Sequence, residues 1–118
     1  MPRLELSTSA ELPLRLRWLA ILFGRIRASL AVTGGVATPN DGIKAILAGA
    51  DVVQMVSALL NHGPSYISMM RHALEQWLEW HKMGSLADAR GRLSLRTTQD
   101  PEAYERANYI RSIQSWGT

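Results

Sequence analysis

Cysteine is absent from this 118-residue chain, which removes disulfides, thiolate nucleophiles and Cys-ligated metals from consideration. Also missing is an uncharged apolar run of about eighteen residues, so no transmembrane span is expected. The opening residues, Met1-Pro-Arg-Leu-Glu-Leu6, lack the apolar centre of a secretory signal, and the cytoplasm is the default compartment. Internal repeats and low-complexity segments are missing too. Lysine is scarce, occurring only at Lys44 and Lys82, and the other basic residues are arginine, which suits planar contacts with phosphate or carboxylate. The formal charge of +3 is mild. Arg15, Arg17, Arg25 and Arg27 fall close together, but acidic residues are interspersed and no nucleic-acid motif accompanies them, so they read as solvated helix flanks and surface ion pairs. His72 and His81 are too far apart along one helix to share a metal, and His62 sits in a loop; no metal site is expected. Asp51 and Glu5 are the acids near strand ends, and nothing pairs them for acid–base work.

Organisation begins with the run Ala28-Ser-Leu-Ala-Val-Thr-Gly-Gly-Val36, apolar until two adjacent glycines stop it. A second run, Asp51-Val-Val-Gln-Met-Val-Ser-Ala58, follows after one helix length. The pair reads as a β-α-β unit of parallel strands, 28–33 and 52–56, apolar enough to be buried on both faces. Upstream, residues 1–6 could end another strand. Thr8 with Glu11 fits a capping box, and Leu12, Leu16, Leu19, Ala20 and Phe23 recur at helical spacing until Gly24. Between the strands, Thr38 caps a helix, Pro39 starts it, Asp41 lies in its first turn and Gly49 closes it. Ser57–Leu60 reads as a single helical turn. From Pro64 a helix of nearly twenty residues presents Ile67, Met70, Leu74, Trp77 and Leu78 on one face, a core stripe by its period. Ser85–Arg90 is a short helix, Gly91–Thr98 a polar loop, and Asp100-Pro-Glu102 starts a last helix with Tyr109, Ile113 and Trp116 on one face.

Three parallel strands at most leave bare edges and an uncovered face. Missing sequence or a second copy must supply the remainder. The order strand, Gly-Gly, helix, strand, Ser at a short helix matches the last units of a (β/α)8 barrel, where loops after the final strands build a phosphate site. A full barrel takes about 250 residues, so the fold expected is α/β: roughly strands 6/7 to 8 of a TIM barrel over residues 1–83, with a helical C-terminal extension over 84–118. The chemistry is that of an anion seat. Bare glycine N–H groups at 34 and 35 and the Ser57 hydroxyl would lie at neighbouring strand ends. The plainer alternative is that Gly34-Gly35 is only a tight strand-to-helix turn.

At these residues the chain resembles the C-terminal part of the dihydroorotate dehydrogenase family, FMN-dependent barrel enzymes of pyrimidine biosynthesis. The pieces are Val32-Thr-Gly-Gly-Val36, Ala45-Ile-Leu-Ala-Gly-Ala-Asp-Val-Val-Gln-Met-Val-Ser-Ala-Leu59, His62-Gly-Pro64 and Gly84-Ser-Leu-Ala-Asp-Ala-Arg-Gly91, so that most of 28–91 is covered. The resemblance implies that Gly34 and Gly35 hold the FMN phosphate through backbone N–H, with Thr33, Ser57 and Ala58 beside it. Ser57 stands where the family usually has Thr, and Val56 where it often has Gly. Ser7, Thr8 and Ser9 fall where the family has a Gly-rich loop after the sixth strand. In the family the flavin takes a hydride from dihydroorotate while a Cys or Ser base removes a proton. That base, the lysines near the flavin and the substrate-binding asparagines belong to earlier strands and have no counterpart here, so no catalytic residue is assigned and this chain alone should be inactive. Two other readings stay open: an Arg-rich helical module that binds a protein or nucleic acid, and a half-barrel phosphate-binding domain that dimerises.

Overall fold

The computed structural model describes residues 5–95 of the chain. A 3-10 turn at Ser9–Glu11 leads into helix α1 (Leu12–Leu22), followed by strand β1 (Ala31–Val32), helix α2 (Pro39–Ala48), strand β2 (Val52–Val53) and helices α3 (Ser57–His62), α4 (Tyr66–Trp80) and α5 (Leu86–Ala89). The expected strand tail over 1–6 falls mostly outside the described residues, and Glu5 and Leu6 are not in a strand. The helix expected after Asp100 lies outside them entirely.

Local chemistry explains the element borders. The capping box of Thr8 and Glu11 forms, but on the 3-10 turn, and α1 proper begins after it with Pro13 in its first turn, where a missing N–H costs nothing. Thr38 caps α2 by accepting the Asp41 N–H at 3.3 Å, Pro39 opens it, and Gly49 ends it at φ 133°. Helix α4 is shorter than its apolar period suggested, and α3 runs slightly beyond the one expected turn. No helix among the described residues is long and apolar enough to cross a membrane.

The strands pair in parallel, Ala31 opposite Val52 and Val32 opposite Val53, joined through α2. They are two residues each, not the five or six expected from 28–33 and 52–56. Nor are they buried on both faces. Val32 is buried and Val53 half-buried, whereas Ala31, Thr33, Gln54 and Val56 are exposed and Val52 is 50% exposed. That alternation is the period-2 signature of a sheet covered on one side. Val32 joins a core made with Leu12, Leu19 and Ala20 of α1, Ala45 and Ala48 of α2, and Met70 of α4. Nothing among the described residues covers the other face, so apolar side chains chosen for a two-sided strand meet solvent.

The α4 stripe is likewise less buried than its period predicts. Met70 is buried, but Ile67 is half in solvent, and with Leu74 they line a shallow cleft of about 180 Å3 against Ile43 and Ile46 of α2 and Met55.

Residues 84–95 close the structure from behind. The Gly91 N–H reaches the Ile46 carbonyl (3.0 Å), which also accepts the Gly49 N–H, and the Leu93 N–H reaches the Leu47 carbonyl (2.8 Å), one of those that the end of α2 leaves open. Arg90 Nε donates to the Ala50 carbonyl (3.1 Å) and lies 3.4 Å from Asp51 Oδ1; Asp51 Oδ2 in turn accepts the Leu30 N–H (2.8 Å). Asp51 is thus a brace between strands rather than a reactive acid. Of the expected Gly91–Thr98 loop, residues 91–95 are described, and Ser94 and Leu95 among them are fully buried.

Candidate functional site

The two strand ends meet at one edge of the sheet, as parallel pairing requires, and the chain between Ser7 and Leu12 spans the gap between them. At one end of this span, Ser57 Oγ accepts the Ser7 N–H (3.1 Å) and lies 2.9 Å from Ser7 Oγ. In the middle, Ser9 Oγ donates to Asp41 Oδ2 at 2.5 Å. At the other end the start of α1 lies against Gly35: a Cβ built there would sit 2.7 Å from the Leu12 backbone nitrogen. Ser7 therefore reaches Ser57, and the hydroxyl-bearing turn borders both glycine and serine.

Thr33 is exposed just past β1. Gly34 (φ 81°) is half-buried and Gly35 (φ 88°) buried, both left-handed, a conformation that glycine adopts without the penalty of a Cβ. Among the described residues, the N–H groups of Gly34, Gly35 and Val36 meet no acceptor. Buried N–H groups are nearly always paired, so these three donors lack the partner such groups usually have. Ser57 is the first residue of α3 and half-buried; Ala58 is buried within the helix. The Ser7–Ser57 pair holds two hydroxyl protons and uses one between them, which leaves one O–H free to donate outward whichever way the bond runs.

The end of the loop before α2 adds no unpaired donor to this turn. Asp41 Oδ2 accepts the N–H groups of Ala37 and Thr38, each at 3.0 Å, besides the Ser9 hydroxyl. Asp41 is 6% exposed. Burial is the largest single influence on its carboxyl and opposes ionisation, but the Ser9 hydroxyl and the N–H groups of Ala37 and Thr38 outweigh it and hold the carboxyl below its ordinary value. Stabilisation of this sign is complete above the unfolded-state value and is lost as pH falls through the lower, folded one. Asp41→Ala should therefore lower stability by about 2 kcal/mol at neutral pH through the lost cap and hydrogen bonds. The gap to the wild type should narrow on acidification, as read from urea melts taken from neutral pH into the carboxylate range.

Two of the four clustered arginines are not solvated flanks. Arg17 is buried, with its guanidinium 5.2 Å from the Trp18 ring centroid. Arg15 is half-buried against the glycine turn, where a Cβ on Gly34 would lie 2.9 Å from its Nη2. Position within a charge cluster could not reveal this; a basic residue in a first helical turn, against the helix dipole, was the available signal. Two of the three histidines stack on aromatic rings: His62, which ends α3 instead of lying in a loop as expected, on Tyr66 (4.4 Å between centroids) and His81 on Trp77 (4.3 Å). The Tyr66 hydroxyl donates to the Ala37 carbonyl (2.7 Å), tying α4 to the loop after the glycines.

Known proteins resemble this part of the chain. Over 67 residues it is 39% identical to a dihydroorotate dehydrogenase (quinone) of Azorhizobium caulinodans, a match that spans 57% of the chain and 19% of the relative. The chain carries a dihydroorotate dehydrogenase-like segment. A dihydroorotate dehydrogenase (quinone) of Streptomyces coelicolor is 38% identical over 84 residues, 67% of the chain and 23% of the relative. One from Nostoc sp. is 34% identical over 58 residues. The matches span only about a fifth of the length of these relatives or less. No family model matches the chain.

Proposed function

We propose that residues 1–83 are the closing strand–helix units of a dihydroorotate dehydrogenase-like (β/α)8 barrel, with 84–118 as a helical extension, and that they hold the phosphate end of FMN. The observation that carries this reading is the run of acceptor-free N–H groups at Gly34, Gly35 and Val36, with the Ser7–Ser57 hydroxyl pair at the end of the paired strand. These donors suit a phosphate: backbone N–H groups freed by left-handed glycines, and an O–H with one proton to give. Thr33 and Ala58 would flank the anion. The flavin would supply hydride acceptance in the parent reaction, oxidation of dihydroorotate to orotate in pyrimidine biosynthesis, with a quinone as acceptor if the relatives' names carry over. This chain's residues would bind and orient and would not perform proton transfer.

The uncovered sheet face and a cleft of about 450 Å3 between α1 and the free edge of β1, lined by Leu14, Trp18, Leu19, Leu22 and Leu30, support a missing partner. The earlier strands of the barrel are the occupant proposed; a second copy is the alternative. Co-expression with the portion of the Streptomyces coelicolor relative that precedes its matched segment should give a yellow complex containing FMN. A colourless complex, or a stable homodimer of the chain that takes no flavin, would overturn the reading.

A further inference from the structure

Arg15 lies where the comparison with the family assigns no role. Its guanidinium covers Gly34 so closely that a Cβ there would stand 2.9 Å from Nη2 and 3.1 Å from Cζ and Nε. Its Nη1 donates to the Glu11 carbonyl at 2.6 Å, which fixes the head group in place. No carboxylate stands within ion-pairing distance of it among the described residues. The nearest candidate in sequence, the Glu11 carboxylate, is turned to the Thr8 N–H (3.2 Å). The arginine also sits in the first turn of α1, where the helix dipole disfavours a cation. A half-buried, immobilised and unneutralised guanidinium thus adjoins a turn whose N–H groups have no acceptor. Both are donors without a protein acceptor at one place, and one anion would satisfy both.

We propose that Arg15 is a phosphate-binding residue, supplying the positive charge of the seat whose neutral donors are Gly34, Gly35 and Val36. This rests on the phosphate reading above and adds to it the charge that backbone donors lack. The ligand chemistry is a phosphate monoester or free phosphate; Nε and Nη2 would donate to its oxygens while Nη1 stays on Glu11. Arginine suits this role better than lysine, because one nitrogen can hold the scaffold while two others face the anion.

The test is 15N NMR of the 118-residue chain titrated with inorganic phosphate, FMN and riboflavin at constant ionic strength. Saturable shifts of the Gly34, Gly35 and Val36 amides and of Arg15 Nε are expected with phosphate and with FMN, but not with riboflavin. Tighter binding of FMN than of inorganic phosphate would identify the nucleotide as the source; equal binding would identify the free anion. Arg15→Ala should weaken either by about tenfold and Arg15→Lys by less, with the amides of Val32, Val53 and Gly91 unmoved as evidence of an intact fold. Arg15→Gln serves if the alanine variant does not fold. Unchanged phosphate affinity in these variants would overturn the role of Arg15 and leave the phosphate reading standing. No phosphate-dependent shift in the wild type would overturn the role as well, while the colour of the co-expressed complex judges the broader reading separately.

Discussion

Gly35→Ala is expected to lower stability by about 3 kcal/mol and to abolish flavin capture by the co-expressed complex. A β-carbon at φ 88° is strained by about 1–2 kcal/mol before anything touches it. It would also lie 2.7 Å from the Leu12 nitrogen and 3.0 Å from the Glu11 carbonyl carbon and the Leu12 Cα. These are backbone atoms, and they cannot step aside. The helix start is pinned by the Thr8–Glu11 box, by Ser9 on Asp41 and by Ser7 on Ser57. Gly34→Ala is the control. Its φ is similar, but its Cβ meets the end of the Arg15 side chain, which can yield by giving up one hydrogen bond to the Glu11 carbonyl without moving backbone, so little beyond the strain of about 1–2 kcal/mol should remain. Urea melts of the two variants should differ by about 1 kcal/mol or more; equal losses would mean that α1 does not rest on Gly35 as described.

Much of the local structure was legible because short-range chemistry decides it. Thr38, Pro39 and Asp41 determine where α2 starts whatever surrounds them, and Gly49 determines where it stops. Thr8 and Glu11 gave the correct box, which forms on a 3-10 turn ahead of the regular helix instead of on the helix itself. The strands were over-read because a run such as Ala28–Thr33 records burial on both faces, whereas pairing depends on neighbours. With one partner apiece, only Ala31–Val32 and Val52–Val53 complete a ladder. For the same reason the α4 stripe looks like a core face and lines an open cleft instead.

At the proposed site, composition marked the glycine turn but not what packs against it. Gly34, Gly35 and Ser57 were visible as glycine and hydroxyl at strand ends. Arg15 was not, because its closeness to Gly34 depends on how α1 crosses the end of β1, across a sequence distance that no local pattern spans. Asp41 was visible as a first-turn acid, but that it occupies the α2 start and leaves unpaired N–H groups only at residues 34–36 of this loop follows from the Ala37 and Thr38 N–H groups it accepts. Phe23 read as one more apolar residue at helical spacing. Its partners turn out to be two glycines.

Gly91→Ala should be the other severe substitution, costing about 3 kcal/mol, and Phe23 is the reason. The Phe23 ring is held between Gly49 and Gly91: a Cβ at 49 would meet its Cβ at 2.6 Å and its Cγ at 2.8 Å, and one at 91 would run into Cε1 and Cζ at the far edge. Both glycines are left-handed, at φ 133° and 78°. A ring flanked by both glycines yields less readily than a free one, so the clash should push residues 91–95 off the end of α2, breaking the Gly91–Ile46 and Leu93–Leu47 hydrogen bonds and exposing Leu95. Phe23→Ala alone should cost about 3 kcal/mol by emptying the slot. In the double variant the new methyl enters the emptied space, so only strain and part of the cavity remain, and the combined loss should fall short of the sum by about 1–2 kcal/mol. Additive losses would mean that the ring does not clamp the tail. The expected coupling would place the closure of residues 84–95 in the same cooperative unit as α1 and α2, because α1 carries the ring, α2 ends at one glycine and the tail supplies the other.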